Sequence, residues 1–319
     1  MKNRKWQRFG TVALTVVLAV GSLTVSAAAD GEGSTGSTAN AVLNTPYVSL
    51  GADLDQDQRA SVLDQLEITE EELQGYTVVT TTNEEEHQYL DAYLDYSLIG
   101  DQALSSALVV GKESGYGIQV NTTNISYCTV GMYQNALATA GIKNADIKVA
   151  APYKMSGTAA LIGVMKAYSE MTGEPLQAES VDAATQELVT TSQMGESLGD
   201  TDQAEELIAA VKEAIVSEGL DDPDKISQVI DQACSELDIS LTEEEKQKIQ
   251  DLMQKIAGLD LDMDTIKEQV KGIYEKLKGL DLNLDLSQEE VQGFLGKLSQ
   301  WLGNLWDSIS GWLGGILGK

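Results

Sequence analysis

DIKVAAPYKMSGTAALIG, residues 146–163, is the stretch on which the fold turns. An apolar alternation over Asp146–Ala150 has the period of a strand, Pro152 and the small polar cluster after it break that pattern, and from Gly157 to Met171 the apolar residues recur at helical spacing. The junction therefore reads strand, turn, helix. Working outward, Tyr47–Leu50 and the β-branched run Thr77–Thr82 read as strands, as do Leu104–Val110 and Gly117–Thr123, which flank the turn-rich KESGYG. Helical periodicity covers Asp55–Leu66 and Val130–Ala140, Thr69-Glu70-Glu71-Glu72 has capping-box spacing, and Asn83 is placed to cap a helix whose apolar face is Tyr89, Leu90, Tyr93 and Leu94. Alternating strands and helices predict an α/β or α+β domain over residues 42–175.

After Gly173 no strand-like run follows. Segments near 178–196, 202–217, 224–237, 243–257 and 265–278 carry spaced apolar residues between caps or breaks, so an all-α repeat or bundle domain is expected over 176–293. GLDLDMDTIKEQVKGIYEKLK from Gly258 aligns without gaps to GLDLNLDLSQEEVQGFLGKLS from Gly279, and LDISLTEEEKQKIQDLMQKIA from Leu237 resembles a third copy with one residue inserted. A spacing of three heptads keeps one helix face in register between copies.

The amino terminus has the look of a leader. Lys2, Arg4, Lys5 and Arg8 precede a short apolar run, Thr11–Val25, and Ala27-Ala28-Ala29 offers small residues at a cleavage site, so residues 1–29 read as a signal peptide and the mature protein as secreted or extracytoplasmic. The Gly/Ser/Thr-rich stretch over residues 30–41 reads as a flexible linker. The full chain carries 21 basic and 50 acidic residues, net −29, and loss of the leader removes only basic ones. Such a chain repels nucleic acid and anionic lipid. A hydrophobic fraction of 42% with clear periodicity argues against a disordered acidic chain. Cys128 and Cys234 fall in regions assigned to different domains, and buried free thiols are the commoner outcome for such a pair.

VSLGADLDQDQRASVL, NALATAGIKNADIKVAAPYKMSGTAALIGVMKAYSEMTG and LTEEEKQKIQDLMQKIAGLDLD together resemble a family of exported Gram-positive proteins known as domain of unknown function 1002 (DUF1002), over about Val48 to Leu282. The resemblance implies no established activity, catalytic residue or cofactor.

The residues narrow the chemistry. His87 is the single histidine, in EEEHQYL at a helix start, with no GxSxG elbow to accompany it. The His and Cys counts exclude a zinc site of several such ligands, and no mature serine has a lysine three positions later. Asp53, Asp55 and Asp57 mimic the opening of a calcium loop, but Gln58 stands where glycine is needed and Asp64 where a bidentate glutamate is expected. Acidic residues at a helix N-terminus explain them better. The connectors Asp260–Asp264 and Asp281–Asp285 read mainly as helix caps, with a weak cation site as the alternative. No metal or cofactor is expected. Ser156, Gly157 and Thr158 follow a strand and open a helix, where backbone N–H groups and hydroxyls can meet a ligand. Both phosphate-loop patterns are missing, so the competing reading is Ser156 as helix cap with Gly157, Ala159 and Ala160 allowing close helix–sheet packing.

The tail, residues 294–319, reads as an amphipathic helix. Leu295, Leu298, Leu302, Leu305, Ile309, Trp312 and Ile316 step by three and four, and Phe294, Trp301 and Trp306 widen the stripe. Each such side chain left in water forgoes ~1.5–3 kcal/mol, so Trp301, Leu305, Trp306, Ile309, Trp312 and Ile316 are expected to contact the preceding helices, a membrane interface or a protein partner. Polar residues interrupt the stretch too often for a span. Oligomeric state is left open. The expectation is a non-enzymatic binding or interaction protein of the cell surface or secretome; the alternative is an enzyme acting on a wall or surface substrate with carboxylates or hydroxyls near Ser156 and Thr158.

Overall fold

The structure is a computed structural model that describes residues 44–267 and Gln269. Its centre is a five-stranded mixed sheet. The strands are β1 (Pro46–Gly51), β2 (Thr77–Thr81), β3 (Ser106–Gly111), β4 (Ile118–Ile125) and β5 (Ala145–Met155), in the spatial order β2-β1-β3-β5-β4. β1 and β2 run parallel, as do β4 and β5, while β3 lies antiparallel to both neighbours. The strands on either side of KESGYG do not pair with each other, because β5 lies between them.

Alternation along β5 sorts its side chains to two faces. Ile147 and Val149 join Ala107 and Val109 on one face, while Lys148 and Ala150 stand opposite Leu108 and Ser106 on the other. The second face is covered by α1 (Gln56–Gln65) and α2 (Glu70–Leu73), whose Val62, Leu63, Leu66 and Leu73 pack with Val48 and Leu50. Both helices open with full capping boxes, Asp55 with Gln58 and Thr69 with Glu72, so Asp55 serves the backbone of α1. Asp53 accepts from the Ala103 N–H at 2.7 Å.

The first face is covered by α5 (Val130–Thr139) and α6 (Thr158–Thr172). Gly163 is what lets α6 approach: a Cβ there would stand 2.3 Å from Ser49 Oγ on β1. The close approach expected of Gly157, Ala159 and Ala160 thus also needs a glycine one and a half turns further on. Two shorter helices complete this part, α3 (Asn83–Leu90) and α4 (Tyr96–Ile99). The residue capping α3 is Thr82, not Asn83; Thr82 accepts from the Glu85 N–H and frees the Asn83 amide for other contacts.

Further helices follow, among them α7 (Ala178–Leu198), α8 (Thr201–Glu218), α9 (Pro223–Glu236) and α10 (Glu243–Ala257). Val181, Ala184 and Leu188 of α7 join the cluster under the sheet, while its Ala183 and Met194 join a second cluster with α8, α9 and α10. The repeat copy from Leu237 corresponds to α10 and its connector. The copy from Gly258 is described only in its first part, where Asp262 accepts from the Thr265 N–H at 2.9 Å and from Lys143 Nζ at 2.8 Å; the copy from Gly279 lies outside the described residues. Cys128 and Cys234 are free, buried thiols in different clusters.

Candidate functional site

The chain between β5 and α6 is shaped by a bulge. The ladder between β4 and β5 is regular up to Thr123 and Ala150, then shifts so that Ile125 pairs with Met155. Pro152, which has no N–H to give a ladder, sits in this irregular part, and Asn124 takes a left-handed φ of 61° and donates its amide to the Ala151 carbonyl at 3.0 Å. Beyond the bulge the turn is held from below. The Ser126 N–H donates to the Met155 carbonyl at 2.8 Å, the Cys128 N–H to the Ser156 carbonyl at 3.0 Å, and the buried Tyr133 hydroxyl to the Gly157 carbonyl at 2.6 Å.

Gly157 has φ 92° and is the N-cap residue of α6, with no side-chain cap. Ser156 is therefore not the cap that the sequence suggests. Its hydroxyl lies 3.0 Å from Thr158 Oγ1 instead. The early N–H groups of a helix need acceptors from outside it, and that of Ala160 donates to Ser105 Oγ at 2.9 Å, from the loop before β3.

Thr158, 1% exposed, donates its hydroxyl to Glu86 Oε1 at 2.8 Å. Glu86 projects from α3 and is itself 1% exposed; its other oxygen accepts from Asn83 Nδ2 at 3.3 Å. Burial pushes the Glu86 carboxyl up to about 7, against the two hydrogen bonds, which favour the ionised form. Asn83 also donates to the Gly100 carbonyl, as His87 Nε2 does at 3.1 Å, and together they fasten α3 to the end of α4. The Asp91 carboxylate at 2.6 Å raises the His87 pKa, and the ring stacks on Tyr96, which makes His87 a structural clasp outside the pocket.

Glu86, Ser105, Ser156 and Thr158 share the wall of a pocket of ≈ 340 Å³. Residues 97–102 together with Leu104, Tyr153, Met155 and Ala159 complete its lining. The pocket lies at the carboxyl end of β5, beside the segment that leads into β3; in open α/β sheets ligands are held beyond the carboxyl ends of strands. Of the three residues singled out in the sequence, Ser156 and Thr158 line it, while Gly157 shapes the turn beneath.

Sequence reasoning missed Glu86, Ser105 and Tyr133. A signal for Glu86 was present: it lies four residues before the buried Leu90, on the inner face of α3, within what reads as an ordinary acidic first turn. Trp301, Leu305, Trp306, Ile309, Trp312 and Ile316 lie outside the described residues. Among the described residues, no cluster of three or more His, Cys, Asp or Glu could hold a metal, and no helix is long and apolar enough to cross a membrane.

No solved structure matches the chain. A curated relative, "Uncharacterized protein YpuA" of Bacillus subtilis (strain 168), is 39% identical over 233 residues, covering 73% of this chain and 79% of its own. The family described as "Protein of unknown function (DUF1002)" matches residues 50–273, and the chain belongs to it.

Proposed function

We propose that this chain is an exported, non-enzymatic binding protein whose ligand occupies the pocket between α4 and the start of α6. The observation that carries the reading is the Glu86–Thr158 pair. A carboxyl group removed from water at the wall of a pocket is costly to keep, and such groups concentrate at functional sites. The basic, apolar and small-residue succession of residues 1–29 supports export. The Trp-rich stripe of 294–319 supports attachment to a membrane interface or a protein partner at the cell surface.

The test of the pocket is calorimetric titration of the full mature chain with a panel of neutral saccharides, spermidine, citrate and amino acids. Saturable binding of one class is expected, and it should be lost in a Ser156→Ala, Thr158→Val variant that still unfolds cooperatively. Binding that survives the double substitution, or none from any class, overturns the assignment. Attachment has a separate readout: deletion of residues 294–319 should release the protein from membranes on sedimentation, and unchanged partitioning counts against it.

One observation favours a second reading. Ser156 is linked through Thr158 Oγ1 to Glu86 Oε1, so a carboxylate near neutrality is connected to a pocket hydroxyl. An enzyme using that chain would turn over p-nitrophenyl acetate and lose the activity on Ser156→Ala; a rate equal to buffer rejects it.

A further inference from the structure

We propose that the pocket takes a neutral, hydroxyl-rich ligand of one or two sugar rings. This rests on the reading of the pocket as a ligand site and narrows it to one class.

Among the described residues, the pocket wall carries no lysine or arginine. An anion entering it would meet two carboxyl groups, Glu86 and Asp101, on a chain of net charge −29. A cation would meet Asp101 at the exposed side of the pocket, but the buried carboxyl, Glu86, has both oxygens engaged. Glu86 accepts from Thr158 and Asn83, and Asp101 accepts from the Tyr96 hydroxyl. Burial further disfavours the ionised form of Glu86, so an ammonium group would be drawn to the exposed Asp101 and not to the inner wall beside Ser156 and Thr158.

What remains on the wall is a set of groups that both donate and accept. Ser97, Ser105, Ser156 and Tyr153 offer hydroxyls and Gln102 an amide. A ligand covered in hydroxyls presents the same two-way chemistry, and each of its groups can find a complement without a buried charge. Ser105 illustrates the point: its oxygen accepts from the Ala160 N–H, which leaves its own O–H to donate. Tyr153, 52% exposed at the rim, adds a flat apolar face with a polar tip, suited to the C–H face of a sugar ring. A volume of ≈ 340 Å³ lies at the small end of the ~300–1,000 Å³ range of ligand pockets, which fits one or two rings rather than a long chain.

The experiment uses the full mature chain, titrated to millimolar concentrations with glucose, N-acetylglucosamine, maltose, spermidine and citrate. At least one saccharide should bind saturably and the two charged probes should not. Ser156→Ala and, separately, Tyr153→Ala should each weaken the saccharide about tenfold, the worth of one hydrogen bond or one ring contact. Tyr153 is exposed, so its variant folds even if the other is impaired. Binding of spermidine or citrate that is lost in Ser156→Ala would overturn the sugar assignment and leave the pocket standing. Saccharide binding indifferent to both variants would overturn the pocket itself, and silence from every probe would overturn both.

Discussion

Thr158 Oγ1 stands 2.8 Å from Glu86 Oε1, with both residues 1% exposed, so the first residue of α6 and the inner face of α3 are joined by a hydrogen bond largely withdrawn from water. Pocket and fold meet in this contact. It fixes where α6 begins relative to α3, and it holds a carboxyl group whose charge the surroundings disfavour.

The pH dependence of stability should report that group. In the folded chain the Glu86 carboxyl titrates near 7, and in the unfolded chain near its ordinary value of 4.5. Between those values the folded state keeps the proton that the unfolded state has lost, so stability falls as pH rises through the window and the deficit is complete above 7. The shift corresponds to at most about 3 kcal/mol. Urea unfolding at pH 5 and pH 8 should show wild type losing up to that amount relative to Glu86→Gln. Parallel pH profiles for the two proteins would mean that Glu86 is ionised in the fold.

Gly157→Ala should be costly for two separable reasons. The backbone φ of 92° disfavours any side chain, and a Cβ would stand 2.6 Å from Tyr133 Oη and 2.7 Å from Ile125 Cγ2. Gly141 supplies the control, since its φ is 95° but a Cβ there meets nothing within 4 Å. Gly141→Ala should cost roughly 1 kcal/mol, the backbone contribution alone, and Gly157→Ala about 2–4 kcal/mol, because overpacking adds ~1–3. Equal losses in denaturant midpoint would show that the turn yields without strain.

Most elements were legible because their signals are local. Asp55 and Thr69 sit three residues before side chains that complete capping boxes, and the β-branched run at Thr77 can hardly be anything but strand. Strand order was not, because the pairing of β3 with β5 is set by residues some forty positions apart and leaves no trace in either strand alone. The site was half visible. Ser156 and Thr158 stand out by following a strand, but the turn between them is left-handed, so the cap expected of Ser156 goes unused. Glu86 was hidden among three consecutive glutamates of which only the last turns inward, a distinction made by the contact with Thr158 and not by composition.

A second buried charge offers a test of how the later helices are held to the sheet layer. Lys212 of α8 and Glu187 of α7 form an ion pair at 2.8 Å with neither side chain exposed. Lys212 Nζ also donates to the Asn135 carbonyl at 3.0 Å and to Thr139 Oγ1 at 3.1 Å, both on α5, which covers the sheet. Burial drives the lysine pKa down and the glutamate pKa up, and the attraction between them opposes both shifts. Lys212→Met leaves Glu187 buried without its counter-charge and should cost about 3–5 kcal/mol. Removing both charges in Lys212→Met, Glu187→Leu takes away the desolvation penalty with the attraction, so the double variant should recover most of that loss. The double-mutant cycle is read from urea midpoints. If the double variant is as unstable as the sum of the two single ones, the pair does not act as a unit, and the junction of α5, α7 and α8 is held by its apolar contacts instead.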